Sequence, residues 1–168
     1  MRTAVVLLAA LISCSALSCL NPFAPRINTE LGQQICGDLS QVENIFCAFR
    51  NAYAFKDTTL YGSLLSPSFA FIYTDYDLLI EKTWGREDEM KLTNTMFQSV
   101  QSLTLIWNSE IAFTETDTSE TIERGYDLTV TFGPTDVEEV NGVAEFYLTR
   151  TNAGDPWKLL RWNDKSNF

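Results

Sequence analysis

From Leu103 to Asn163 apolar and polar side chains alternate through four successive segments, and a pattern of period two held over about sixty residues constrains the chain to a sheet. Leu103, Leu105, Trp107, Ile111 and Phe113 alternate with Thr104, Asn108 and Glu110. Tyr126, Leu128, Val130 and Phe132 alternate with Asp127, Thr129 and Thr131, while Ala144, Phe146 and Leu148 oppose Glu145, Tyr147 and Thr149. A last strand over residues 157–163 follows the turn-forming stretch 152–156. Strands of this kind bury one face and wet the other, so an antiparallel sheet is expected whose apolar face needs a cover.

The preceding segment supplies that cover. Val42, Ile45, Phe46, Phe49, Ala52 and Tyr53 recur at helical spacing, and Ser40 with Glu43 has the capping-box pattern, so a long helix is expected from Asp38. Asp57 is placed to cap a short second helix carrying Leu60, Leu64 and Leu65, which Ser66-Pro67 ends. Residues 69–73 read as a strand and 76–82 as a loop. Glu87, Asp88 and Glu89 then complement the dipole in the first turn of a third helix that runs to about Ser99. Helices before a long meander have few arrangements available. The expected class is α+β, with N-terminal helices packed on a strongly curved antiparallel sheet, a cone with a pocket.

Composition narrows the function. The net charge of -10 leaves no basic stripe for phosphates, which argues against nucleic acid and against electrostatic adhesion to anionic lipid. The chain contains no histidine, which removes imidazole acid-base chemistry and most zinc sites. No cofactor and no metal site is expected: Asp75-Tyr76-Asp77 lacks the glycine turn and further oxygen ligands of a calcium loop.

Residues 38–168 resemble the nuclear transport factor 2-like superfamily, which includes SnoaL-like cyclases and ketosteroid isomerases. The likeness rests on Ala52-Tyr53-Ala54-Phe55-Lys56-Asp57, on Leu64-Leu65-Ser66-Pro67-Ser68-Phe69, on Trp84-Gly85-Arg86-Glu87, and on Pro156-Trp157-Lys158-Leu159-Leu160-Arg161-Trp162. It implies a pocket between the helices and the concave sheet, used in that superfamily for catalysis or for plain binding. Fold does not choose between them. Alignment at Asp57 places Phe49 and Tyr73 where the isomerases carry a tyrosine and a carboxylate base. Asp75, two residues on, is the catalytic candidate that remains.

The N-terminus resembles a bacterial lipoprotein export signal. Arg2 precedes an apolar run from Ala4 to Ile12, too short to span a bilayer. Leu11-Ile12-Ser13-Cys14 resembles the lipobox, while Ala16-Leu17-Ser18-Cys19 gives a more usual signal length. Lipidation at Cys14 or Cys19 remains open, as does cleavage without lipid. The signal peptide is then residues 1–18, or 1–13 if Cys14 is acylated, followed by a flexible tether over 19–37. The resemblance implies a lipid anchor in the cell envelope, at the outer membrane facing the periplasm. Of the other cysteines, Cys36 and Cys47 are separated by most of three helical turns if the helix starts at Asp38, so a bridge between them looks awkward and a half-buried thiol is expected at Cys47. A Cys19 to Cys36 bridge requires that Cys14 carry the lipid.

The candidates for lining a pocket are Phe71, Tyr73, Trp84, Arg86, Trp107, Tyr126, Phe146 and Arg161, the two arginines being able to meet an anion. The favoured function is a non-catalytic envelope lipoprotein that binds a small apolar or anionic ligand or an envelope protein. Its rivals are a SnoaL-like or isomerase-like enzyme, and a structural or assembly protein that docks through a sheet face bearing Ile106, Tyr147, Leu160 and Trp162. The domain is expected to be a monomer or a weak homodimer.

Overall fold

The computed structural model describes residues 35–166. The export segment, the two cysteines considered for acylation and most of the tether lie outside that range. Three helices, α1 (Val42–Phe55), α2 (Thr58–Leu64) and α3 (Arg86–Ser99), pack on the concave face of a six-stranded sheet. The strands are β1 (Leu65–Asp75), β2 (Ile80–Gly85), β3 (Ser102–Glu115), β4 (Ser119–Gly133), β5 (Asp136–Thr149) and β6 (Lys158–Asp164), in the order β2-β1-β6-β5-β4-β3. The fold is the expected α+β cone. One part of the expectation is corrected: β1 and β6 pair in parallel, so the sheet is mixed. A second correction is β2, which occupies the end of the stretch read as a loop and closes a hairpin on β1.

α1 presents Ile45, Phe46, Phe49, Ala52 and Tyr53 inward, all buried, as the periodicity requires. It begins at Val42 rather than Asp38, and the Ser40–Glu43 capping box does not form. Asp38 Oδ1 accepts the Ser40 N–H at 3.0 Å, Gln41 becomes the N-cap without a side-chain bond, and both Glu43 oxygens accept from the Arg124 guanidinium. A buried arginine needs a carboxylate more than a helix end does. Asp57 caps α2 as expected, accepting the Leu60 N–H at 2.8 Å.

The late start of α1 also brings the cysteines together. Cys47 stands only about five residues into the helix, roughly 8 Å along its axis, and a turn closed by the Gln41 N–H on Asp38 O folds the chain back beside it. Cys36 and Cys47 form a disulfide with Cα atoms 5.6 Å apart, where a free thiol had been expected.

Bulges overturn the alternation at two places. In β3, the register against β4 slips between Trp107 and Glu110 and again between Glu110 and Ala112. Leu103 and Leu105 are buried, whereas Ile111 and Phe113 are exposed. In β6, Tyr147 pairs with Arg161 and Leu148 with Leu159, so Leu160 is the extra residue. One inserted residue reverses every side chain beyond it. Trp162 therefore points inward and is buried, not outward, and Arg161 points outward with its guanidinium 5.4 Å from the Tyr147 ring.

Candidate functional site

The register of the first hairpin builds the rim of the cone. Phe71 pairs with Trp84 and Tyr73 with Lys82, which sets two aromatic pairs on the concave face. Phe71 and Trp84 stack with centroids 4.4 Å apart and planes 13° from parallel, and Tyr73 lies 5.5 Å from Trp84. All three rings are half-buried. Asp75 sits at the rim in an ion pair with Lys82, 2.5 Å from Nζ, and also accepts the Leu78 N–H at 3.1 Å. The Lys82 bond, with the Leu78 amide, holds the Asp75 carboxyl below its ordinary value. A carboxylate so stabilised is a weak base, and its oxygens are already engaged.

Inside the rim the cone is occupied. Trp162 lies 5.6 Å from Phe71, 6.3 Å from Phe49, 6.4 Å from Trp107 and 4.9 Å from Phe146. Phe46 adds edge contacts to Trp107 and Phe146 at 5.1 and 5.3 Å. Rings at these separations are in mutual contact, so no ring-sized ligand fits between them. The inward turn of Trp162, caused by the Leu160 bulge, is what fills the interior. Its indole Nε1 is buried without a hydrogen-bond partner among the described residues, while Trp107 Nε1 donates to Phe46 O at 2.9 Å and fastens β3 to α1.

A buried carboxylate went unread in the sequence. Glu89, expected with Glu87 and Asp88 to complement the dipole of the first turn, is buried and accepts from Tyr61 Oη at 2.6 Å, Trp84 Nε1 at 2.6 Å and Thr93 Oγ1 at 3.1 Å. Burial, then the neighbouring Tyr53 and Glu89, push the Tyr61 phenol well above its usual value, so Tyr61 remains a donor. The signal was present: Glu89, Thr93 and Phe97 recur every four residues on the inward face of α3. The knot ties α2, α3 and β2 together and fixes the Trp84 ring against Phe71.

On the far side, Tyr126 Oη lies 3.2 Å from Ser166 Oγ, which donates to Asp164 Oδ1 at 2.6 Å. Ser166 gives its hydrogen to Asp164, so the Tyr126 phenol is the donor to Ser166, and burial raises its pKa. Gly142 makes room for it, because a Cβ there would fall 1.8 Å from Ser166 Oγ and 2.9 Å from Tyr126 Oη.

The structure thus gathers Phe71, Tyr73 and Trp84 at the mouth and places Trp107 and Phe146 in the packed interior with Tyr126 beyond them. Arg86 turns away from the mouth and donates to Gly62 O of α2 at 3.0 Å, and Arg161 is on the outer surface. Among the described residues no three metal-ligating side chains converge.

This architecture is the nuclear transport factor 2-like fold. Solved structures that share it include the Kfla4162 protein of Kribbella flavida, with a TM-score of 0.65 at 14% identity over 78% of this chain and 91% of that one. A protein from Streptomyces avermitilis named as a candidate dehydratase of this fold family matches with a TM-score of 0.60 at 16% identity, over 78% and 97%. A nuclear transport factor 2-like superfamily protein of Salmonella enterica matches with 0.60 at 14%, over 77% and 92%. No family model and no curated protein matches the sequence. At these identities the likeness is one of fold.

Proposed function

We propose that this chain is a non-catalytic envelope lipoprotein, exported and acylated at Cys14 or Cys19, whose domain receives a small apolar or anionic ligand at the aromatic mouth of the cone. The observation that carries the non-catalytic reading is the filled interior. Trp162 and its ring partners occupy the space in which a substrate would meet a base, and Asp75 is held in its ion pair at the rim. The half-buried Phe71, Tyr73 and Trp84 offer apolar surface there, with Lys82 alongside to meet a negative group. The Cys36–Cys47 bridge fits an oxidising compartment and so favours export.

The test is a fluorescence titration of the full-length protein in mild detergent with an aromatic sulfonate such as 1-anilinonaphthalene-8-sulfonate. Saturable binding that Tyr73→Ala and Lys82→Ala both weaken supports the mouth as the site. No saturable binding, or a turnover on any carbonyl substrate that Asp75→Asn abolishes, would overturn the reading. Intact-mass analysis of the membrane fraction reads the anchor directly, since diacylglycerol on Cys14 or Cys19 adds a defined mass.

A further inference from the structure

A further opening lies at the N-terminal end of α1. A cleft of about 340 Å³ is lined by Val42, Glu43, Glu110, Phe113, Glu115 and Glu120, together with Arg150 and Trp157. Glu120 is the unusual member. It is only 7% exposed, faces this cleft, and receives no hydrogen bond and no ion pair among the described residues. A buried carboxylate is ordinarily satisfied by protein donors, as Glu89 is; the Glu120 oxygens are not enclosed and instead open on the cleft, where a donor from outside the domain can reach them.

The nearby cations are committed elsewhere. Arg124 pairs with Glu43 at 2.6 Å, lies over the Phe46 ring at 4.3 Å and stands 4.0 Å from Glu110. Arg150 lies 4.0 Å over the Trp157 ring and donates to Asp117 O and Ser40 O. Four carboxylates therefore face the cleft with two guanidinium groups beside them.

The spacing of the acids comes from the bulge at Ile111. Glu110 and Glu115 are an odd number of residues apart and would fall on opposite faces of a regular strand. The slip between Glu110 and Ala112 lets Glu110 pair with Arg124 and Glu115 with Glu120, so that both line the cleft. They are then separated along β3 by roughly 15 Å. Acids in an extended row suit a chain of cations better than one ion, and no three of them converge as metal ligands would.

We propose that this cleft binds a linear polyamine, with Glu120 and Glu115, side by side across the strands, receiving an ammonium group at one end, Glu110 receiving one toward the other, and Phe113 and Val42 covering the methylene segments between them. Binding is linked to a proton. Burial, then the neighbouring Glu115 and Glu110, push Glu120 up to about 7, with Arg150 opposing the shift. An ammonium group on Glu120 drives its proton off, so affinity rises with pH and is about tenfold higher at pH 8 than at pH 6.

The experiment is calorimetric titration of the full-length protein with spermidine at pH 6, 7 and 8, in two buffers of different ionisation enthalpy and at constant ionic strength. The expected result is saturable one-to-one binding, tighter at high pH, with proton release near pH 7. Glu120→Gln should lose the proton release and the pH dependence, and Glu115→Gln should weaken binding while retaining both. The proposal is overturned by three results: no saturable heat at millimolar spermidine, a Glu120→Gln protein that binds as the parent does with the same pH dependence, or equal competition by sodium at matched ionic strength.

Discussion

Reducing the Cys36–Cys47 bridge should measurably loosen the domain. The bridge closes a loop of twelve residues, the sequence separation being 11. The chain-entropy relation for a loop of that size gives about 3 kcal/mol at 25 °C. For a domain of this length that corresponds to a fall in melting temperature of roughly 10 °C. Native-state losses should add little in a Cys36→Ser, Cys47→Ser double variant, because the serine hydroxyl at position 36 still accepts from Asn51 Nδ2, which donates to Cys36 Sγ at 3.1 Å. The assay is urea denaturation of parent and variant, each with and without dithiothreitol, alongside thiol counting by mass. The parent should lose stability on reduction and the double variant should not respond. Two free thiols at 36 and 47 in protein purified without reductant, or a change under about 0.5 kcal/mol on reduction, would refute both the bridge and the reasoning from α1's late start.

Trp162→Ala should cost about 3–5 kcal/mol, because it empties the centre of the ring cluster; a loss below 1 kcal/mol in urea denaturation would mean the cone interior is not packed by this residue. Glu89→Gln should cost about 1–3 kcal/mol, since the amide NH2 replaces one of two oxygens that both accept and so faces a donor, and the same variant should alter Trp84 fluorescence; unchanged stability and emission would remove the knot. Two of the shifted carboxylates, Glu120 and Asp75, have opposite pH signatures. Glu120 has its folded pKa raised to about 7 from an ordinary 4.5, so the folded state binds the extra proton and stability falls as pH rises from about 4.5 to 7. Glu120→Gln should flatten that decline, which a stability series over pH reads directly. Asp75, whose folded pKa is lowered from 3.8, stabilises above that value, and the contribution disappears as pH falls through the lowered one; Asp75→Asn should lessen the acid loss, and an identical acid limb would show that the ion pair does not matter.

What was legible in the sequence is what short-range periodicity encodes. The inward stripe of α1, the Asp57 cap, the extent of α3 and the alternation of β4 and β5 all depend on neighbours within a few residues, and their order specified a cone. The candidate site was legible only where a residue's partner lay on the adjacent strand, as with Phe71, Tyr73 and Trp84. It failed for Arg161 and Trp162, because a single bulge at Leu160 exchanges their faces and no local signal marks it. It failed for Glu89 because Glu87 and Asp88 beside it marked a dipole-complementing first turn, and two of the three donors that permit its burial come from α2 and β2.

The sequence by itself determined the class of fold, the acidic and histidine-free chemistry, and the helical and strand faces that local packing enforces. Tertiary structure decided which of those faces stayed in register, that β1 would lie parallel to β6, that Cys36 would meet Cys47, and that the cone would be filled while Glu120 opened on a cleft with no donor among the described residues. The reason is that each of these outcomes is a competition between groups far apart in the chain. A capping box yields to a buried arginine, and strict alternation yields to a bulge that lets the sheet curve, only once the fold has brought the competitors into contact.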